Sequence, residues 1–297
     1  MNGRHVLGID FGGTKVALGT LATGATNNRP QRMVRLETLA GAGADQVVER
    51  ALAAARALTD GPAAVGVSTF GVVSGDRIRL APNVPGWDGL ELPRLLRQEF
   101  GGTPVVIQND VNAAAAAEIR WGALRGVDVG VYLNLGTGLA AAVIVDGRVL
   151  RGAHGAAGEI GYLLDPDADT CFADGHAPLE EAISGGALTN RSAALLGRPV
   201  TASELFDLDG HADVATLLAR AIDTLAVAVA NLCITIDPQK VVVGGGMMNA
   251  AHHILPRLTA MAKRAVPFPP EITAARHIHD APLLGALALA LEAAKVV

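Results

Sequence analysis

The feature that most constrains this chain is a pattern that occurs twice: a short apolar strand, a glycine-threonine turn and a second apolar strand. Val6 to Asp10 reads as a buried strand, Gly12-Gly13-Thr14 as a tight turn and Lys15 to Leu21 as the returning strand. Val129 to Asn134, Gly136-Thr137-Gly138 and Leu139 to Val145 repeat the arrangement, with Asp146-Gly147 as a further turn. The chain therefore reads as internally duplicated. Its 297 residues exceed what one typical core holds, which agrees with two domains or one duplicated architecture.

Helical and strand segments alternate between and after the two hairpins. Gln46 to Leu58 has helical spacing, Ala64 to Ser68 reads as a strand, and Leu92 to Phe100 is helical again. Pro104 to Gln108 is a strand that runs into Asn109-Asp110-Val111-Asn112 and an alanine-rich helix to Ile119. Later come a glycine-rich segment from Gly152 to Gly161, a polar loop, and helices over Leu179 to Leu196 and Val214 to Ile236. Lys240 to Val243 is a strand, Gly244-Gly245-Gly246 a turn, Met247 to Ala265 a helix and Ala281 to Lys295 a last helix, expected to return to the first half. Hairpins mixed with crossover helices define an α/β class.

Composition narrows the function. Apolar residues make up 50% of the chain and the net charge is -5, so a large core is available and there is no disorder signature. Arg and Lys are scattered, which argues against nucleic acid or a polybasic membrane contact and for a small-molecule partner. Cys171 and Cys233 are the only cysteines and imply no disulfide framework, in keeping with a reducing cytoplasm. The N-terminus runs straight into the first strand with no signal-peptide pattern. The apolar run Pro282 to Leu291 is too short to span a bilayer and reads as a buried helix.

Asp10 stands at a strand end directly before glycines whose backbone N–H groups can approach phosphate with no Cβ in the way. A turn needing positive φ would account for Gly12-Gly13 equally well. The order Gly-Thr-Lys followed by a strand excludes a P-loop, which needs Gly-Lys-Ser/Thr and then a helix. Gly136-Thr137-Gly138 repeats the chemistry; facing each other across a cleft, the two turns would hold one polyphosphate. Gly244-Gly245-Gly246 misses the dinucleotide fingerprint, because Asn249 stands where the third glycine belongs and no acidic ribose partner follows. On its residues alone it is a flexible strand-to-helix turn.

Asp110, at a strand end and helix start, has the placement of a general base whose ionised form a helix N-terminus favours, and equally that of a plain N-cap. Asn83 sits in a Pro/Gly-rich loop as a turn residue, with Trp87 as packing for that loop. Glu159 lies between glycines, as a solvated acid or a ligand for two hydroxyls.

Taken in order, these stretches resemble the ROK family of sugar kinases. The resemblance rests on Asp10-Phe11-Gly12-Gly13-Thr14-Lys15, Ala81-Pro82-Asn83-Val84-Pro85-Gly86-Trp87 and Asn109-Asp110-Val111-Asn112-Ala113-Ala114. It continues through Leu135-Gly136-Thr137-Gly138, Gly158-Glu159-Ile160-Gly161 and Val243-Gly244-Gly245-Gly246, so it covers nearly the whole chain. It implies a two-lobed, actin-like or ribonuclease-H-like fold with duplicated halves: a smaller lobe over 1–112 joined by 281–297, and a larger one over 113–280. The lobes would close on the sugar and exclude water.

The same resemblance implies ATP-dependent phosphorylation of a hexose, glucose or a close aldohexose, at its primary hydroxyl. Fructose, N-acetylmannosamine and allose are alternatives, and a sugar-sensing regulator is the non-enzyme alternative. Asp110 would be the catalytic base, with Asn83, Asn109, Glu159, Tyr162 and Glu180 around the sugar. Gly12, Gly13, Thr14, Gly136, Thr137 and Gly138 would bind phosphate, Asp10 would position Mg²⁺ through water, and Gly244, Gly245 and Gly246 would carry adenosine. Lys15 would contact phosphate or remain a solvated lysine. A homodimer is carried from the family.

The chain departs from the family at its zinc motif. Many members follow Gly-Glu-Ile-Gly with a histidine and then Cys-x-Cys-Gly-x-x-Gly-Cys-Leu-Glu, the four ligands of a closed structural zinc. Here Tyr162 replaces the histidine, and aligning Leu179-Glu180 leaves Cys171, Ala173 and Pro178 at the cysteine positions. His176 is nearby as a surface loop histidine. No structural zinc is expected.

Overall fold

The computed structural model describes residues 5–164, 169–208 and 210–295. In chain order, the first elements are β1 (His5–Phe11), β2 (Lys15–Ala22), β3 (Arg32–Glu37), α1 (Ala44–Leu58) and β4 (Val65–Thr69). There follow β5 (Val72–Ser74), β6 (Arg77–Arg79), α2 (Leu92–Phe100), β7 (Val105–Asn109) and α3 (Asp110–Trp121). The middle of the chain forms β8 (Gly130–Leu135), β9 (Leu139–Val145), β10 (Arg148–Val149), α4 (Pro178–Ile183), α5 (Gly185–Leu196) and α6 (Ala202–Leu205). The last are α7 (Ala212–Ile236), β11 (Lys240–Gly244), α8 (Ala251–Ala265), β12 (Glu271–Ala274) and α9 (Ala281–Ala293).

These elements form two compact units. The first takes Met1–Arg125, Arg151–Ala157 and Asp280–Val297, and the second Gly126–Leu150 and Gly158–His279. All of α3 therefore lies in the first unit, beyond a boundary at 112, because its backbone packs against α9: a Cβ on Gly285 would lie 1.7 Å from the Ala113 carbonyl oxygen.

The first unit is built on a five-stranded sheet of order β3-β2-β1-β4-β7. β1 and β2 are the expected antiparallel hairpin, and β1, β4 and β7 run parallel. Alternation along β1 sorts its side chains: Leu7, Ile9 and Phe11 join the core with α1 and α2, while Val6 meets Leu283, Leu287 and Leu291 of α9. On that second face α9 lies directly on backbone. A Cβ on Gly66 would come within 1.8 Å of the Ala286 carbonyl oxygen, and one on Gly8 within 2.7 Å of Leu287 Cγ.

The second unit repeats the plan, with a sheet of order β10-β9-β8-β11-β12 in which β8 and β9 are antiparallel and β8, β11 and β12 parallel. The duplication read from the sequence thus extends to strand order, and the two sheets with their helices form the two-lobed α/β fold. Its core joins Val131, Leu133, Val241 and Val243 to Leu218, Leu225 and Val229 of α7. By length and composition α7 is the one helix among the described residues able to cross a membrane, and half of its apolar window is buried in the protein.

Two helices differ from the sequence reading. The segment expected as one helix from Leu179 to Leu196 breaks at Ser184, which is extended (φ -68°, ψ 154°) and whose hydroxyl accepts the Ala187 N–H at 3.2 Å. The segment from Met247 opens as a 3₁₀ turn, Gly246–Ala250, before α8 begins. The loop expected over 165–178 is described only from residue 169.

The contact at Gly66 generates a prediction. Gly66→Ala must displace α9 or the sheet, and overpacking of this kind costs about 1–3 kcal/mol or more. Its thermal midpoint should fall by several degrees, whereas Gly61→Ala, where a Cβ meets nothing within 4 Å, should leave the midpoint within about a degree. Equal midpoints for the two variants would refute the close contact.

Candidate functional site

In the first unit the candidate residues collect at the carboxyl ends of the parallel strands, where an α/β sheet characteristically presents its chemistry. The register aligns Asp10 with Ser68 across β1 and β4, and Thr69 with Asn109 across β4 and β7. Asp10 is buried and its Oδ1 accepts the Ser68 hydroxyl at 2.8 Å. Burial pushes its pKa up to about 7, the Ser68 hydrogen bond pulls the other way, and the negative charge of Asp110 adds to the rise.

The junction between β7 and α3 divides two duties between neighbours. Asn109 is the N-cap, its side-chain oxygen accepting the Asn112 N–H at 2.8 Å. The cap is therefore Asn109, and Asp110 opens the helix itself with its Oδ1 accepting the Val111 N–H at 2.9 Å. Burial raises the Asp110 pKa and that backbone bond offsets part of the rise. A carboxylate that holds its proton more tightly is a stronger base once ionised.

The first glycine turn is tied to the sheet from one side. Thr38 donates its hydroxyl to the Gly12 carbonyl at 2.6 Å and its N–H to the Thr14 carbonyl at 2.9 Å. A Cβ on Gly12 would lie 2.7 Å from the Lys15 carbonyl oxygen, so that glycine is needed for the hairpin itself. Gly13 differs: a Cβ there would meet nothing within 4 Å, and its φ is not left-handed. The turn therefore does not depend on positive φ at either glycine. Lys15 pairs with Asp280 at 3.3 Å, and Asp280 also pairs with Arg35 at 2.6 Å. Burial works to raise the Asp280 pKa, but these two cations hold it below the ordinary value.

Asn83 is exposed on a loop fastened by buried Val84 and Trp87. Trp87 packs on Phe70 with ring centroids 4.7 Å apart and donates its indole N–H to Thr69 Oγ1 at 3.1 Å. It is packing for that loop, as expected.

In the second unit, the turn Gly136-Thr137-Gly138 joins β8 to β9 with Thr137 exposed at its tip. Glu180 accepts the Leu139 N–H at 2.8 Å, directly after the turn. Glu159 and Glu180 both act on Tyr162, whose phenol pKa is raised by burial first and then by these two charges. Tyr162 also meets Phe172 edge-on, with centroids 5.2 Å apart. Gly158, at φ +90°, has no room for a side chain, since a Cβ would lie 1.9 Å from the Ala141 carbonyl oxygen. Cys171 donates its thiol to Asp174 Oδ2 at 3.3 Å, and His176 pairs with Glu181 at 3.0 Å.

The third glycine turn is partly structural. A Cβ on Gly244 would lie 2.2 Å from the Tyr132 hydroxyl, and one on Gly245, at φ +92°, 2.3 Å from the Leu135 carbonyl oxygen. Gly246 is open and borders a cavity of about 140 Å³ that Phe206, Asp207, Asn249 and His252 also line. Sequence reading gives Phe206, Asp207 and His252 no role, nor Ser68, Thr38 and Asp280. Ser68 had a usable signal, since it ends the segment Ala64 to Ser68 that reads as a strand, but the register that sets it opposite Asp10 is not written locally.

The raised pKa of Asp10 carries a stability prediction. The folded state binds this proton more tightly than the unfolded chain, so the group's contribution is complete below about pH 4 and is lost as pH rises through about 7. In metal-free protein, Asp10→Asn should raise the thermal midpoint by an amount that is small near pH 4, grows to about pH 7 and then levels. A pH-independent difference would contradict this.

The sequence pattern of the ROK family matches residues 6–293. The chain is 32% identical over 287 residues to the N-acetylmannosamine kinase of Vibrio vulnificus, covering 95% of this chain and 96% of that protein. It is 28% identical over 312 residues to the glucokinase of Thermotoga maritima, covering 97% of each. Among solved structures, the ROK hexokinase from Thermus thermophilus aligns with a TM-score of 0.84 at 32% identity, over 99% of this chain and 100% of that one. The ROK family glucokinase from Streptomyces griseus in complex with glucose and AMPPNP aligns with a TM-score of 0.77 at 28% identity, over 97% and 99%. With a match that spans both halves of the duplicated fold, this chain belongs to the ROK family, as an ATP-dependent sugar kinase.

Proposed function

We propose that the sugar is glucose or a close aldohexose, that its primary hydroxyl is the acceptor, and that Asp110 is the general base. The observation that carries this reading is Asp110 itself, at the first turn of α3, with burial raising its basicity and Asp10 close enough to be felt. As the γ-phosphoryl group arrives, Asp110 takes the proton of the attacking hydroxyl, and the oxygen gains the electron density the new O–P bond needs. Asn83, Asn109, Glu159, Tyr162 and Glu180 hold sugar hydroxyls, and the reading places the enzyme in the cytoplasm.

Thr14, Thr137 and the backbone donors of their two turns bind the phosphates. Gly13 supports this, because neither its φ nor any neighbour in the chain requires glycine there, whereas a phosphate approaching the backbone does. Lys15 adds charge beside the same turn. Gly246 and the cavity beside it receive the adenosine. Mg²⁺, which Asp10 would help to hold through water, would supply charge neutralisation on the transferring group. Asp10 fits that part, since burial and the charge of Asp110 work against its ionisation and a cation would favour the ionised form.

A second sugar has a specific observation in its favour: the N-acetylmannosamine kinase of Vibrio vulnificus is 32% identical over 95% of the chain. A coupled assay of ATP consumption over a panel of sugars decides between the two. Glucose should give the highest kcat/KM, and a higher value for N-acetylmannosamine would transfer the assignment. Asp110→Asn should keep sugar binding and lower kcat by roughly a hundredfold or more; near wild-type turnover would remove Asp110 from the base role. Activity should vanish in excess chelator, and polyphosphate alone should not replace the nucleotide.

The protein is further proposed to fold without structural zinc, because Tyr162, Ala173 and Pro178 supply none of the ligands such a site needs. Metal analysis, with melting before and after chelation, should find no stoichiometric zinc and no loss of stability. A bound zinc whose removal unfolds the protein would reverse that reading.

A further inference from the structure

The turn Gly136-Thr137-Gly138 does not hold its own shape by hairpin bonding alone. The Gly136 N–H donates to the Gly138 carbonyl at 3.0 Å, and three further backbone groups are engaged from outside. The Gly136 carbonyl accepts the Gly185 N–H at 2.9 Å, and the Thr137 carbonyl accepts the Gly186 N–H at 3.1 Å. The Leu139 N–H donates to Glu180 Oε2 at 2.8 Å. Two of the partners open α5, and the third, Glu180, lies in the first turn of α4, the short helix directly before it.

Peptide planarity turns these bonds into an orientation. In a trans peptide the C=O of one residue and the N–H of the next point in opposite directions. Fixing the Gly136 carbonyl on α5 therefore aims the Thr137 N–H away from α5, and fixing the Thr137 carbonyl does the same for the Gly138 N–H. Two successive N–H groups aimed one way form the concave donor arrangement that anions favour. The partner carbonyls, which would repel an anion, are turned onto the helix.

The local sequence is shaped for this. Ser184 caps α5 by accepting the Ala187 N–H, which leaves the first two helical N–H groups for the turn. Neither Gly185 nor Gly186 has a left-handed φ, so conformation does not demand glycine. Space does: a Cβ on Gly185 would lie 2.8 Å from the Gly136 carbonyl oxygen, and one on Gly186 2.9 Å from that of Thr137. Glu180 is equally confined, because a Cβ on Gly138 would lie 2.8 Å from its Oε2 and one on Gly161 3.1 Å from its Cβ.

We infer that Glu180, Gly185 and Gly186 are positioning residues for nucleotide phosphate, setting the peptide planes of the turn through its carbonyls and through the Leu139 N–H. This rests on the reading that the turn binds phosphate. It gives Glu180 a role toward ATP beside its proposed role toward sugar, and makes the α4–α5 corner part of the phosphate site.

The test compares KM for ATP, KM for sugar and kcat in four variants, with melting curves to establish the fold. Glu180→Ala and Gly186→Ala should each raise KM for ATP about tenfold, the scale of losing one hydrogen bond at a charged ligand site. Glu180→Gln, whose amide oxygen still accepts the Leu139 N–H, should keep KM for ATP within about twofold even where KM for sugar rises. A structural role alone would lower the active fraction, hence kcat, with KM for ATP unchanged. Thr137→Glu, at the exposed tip, should raise KM for ATP more than tenfold. An unchanged value there overturns the phosphate reading and this inference with it. A raised value there, with KM for ATP unchanged in Glu180→Ala and Gly186→Ala, overturns the inference alone. Should Gly186→Ala fail to fold, the contrast between Glu180→Ala and Glu180→Gln decides the matter.

Discussion

The first unit depends on the absence of side chains where α9 meets the sheet and α3. At Gly8, Gly66 and Gly285 main chain approaches main chain or a leucine stem so closely that one methyl group would be excluded. Van der Waals attraction falls steeply with separation, so this proximity lets the small residues of α9 make dense contact that bulkier ones would prevent. It also sets where α3 begins. Since α3 is gripped by α9 at Ala113, its first turn, and with it Asp110, is fixed relative to the ends of β1 and β4. The placement of Asp110 in this unit is thus a consequence of three glycines packed under α9.

That placement is electrically expensive. Asp10 is buried near Asp110, and burial works against ionisation of both. A folded protein tolerates such a pair when something else is improved by it, which is why destabilising carboxylates collect at active sites. Ser68 offsets part of the cost by donating to Asp10. Asp280 works in the opposite sense from Asp10, holding its charge between Lys15 and Arg35. The edge of one sheet therefore carries acids in two electrostatic conditions, protonated with ease at Asp10 and ionised at Asp280.

Much of this was legible in the sequence, and the exceptions have physical causes. The two hairpins are visible because their strands are largely apolar and meet at glycine-threonine turns. β3 was not, since Arg32, Arg35 and Glu37 give an edge strand the look of a loop. The break at Ser184 was hidden inside an apolar helical rhythm, although Ser-Gly-Gly marked it. The sequence reads Asp110 as a residue of the strand-to-helix junction, where it lies, but the capping duty belongs to Asn109, a distinction that needs backbone angles. Glu180 was read toward sugar, and its bond to Leu139 could not be seen because it joins residues far apart in the chain. Local chemistry is written locally; register and long-range partners are not.

The return of α9 to the first unit has a consequence for how the chain comes into being. β1, β4 and β7 are synthesised early, but the apolar face formed by Val6, Ala17 and Leu21 has no cover until residues 281–293 have left the ribosome. Throughout that interval the whole second unit is made, and it can complete its own core first, since all of its segments precede Asp280. The unit whose strands are made earlier is the unit completed later, by residues 281–293. A nascent chain of this design spends most of its elongation with a sticky sheet exposed, so its yield in a cell should depend on chaperones that shield the N-terminal strands during translation.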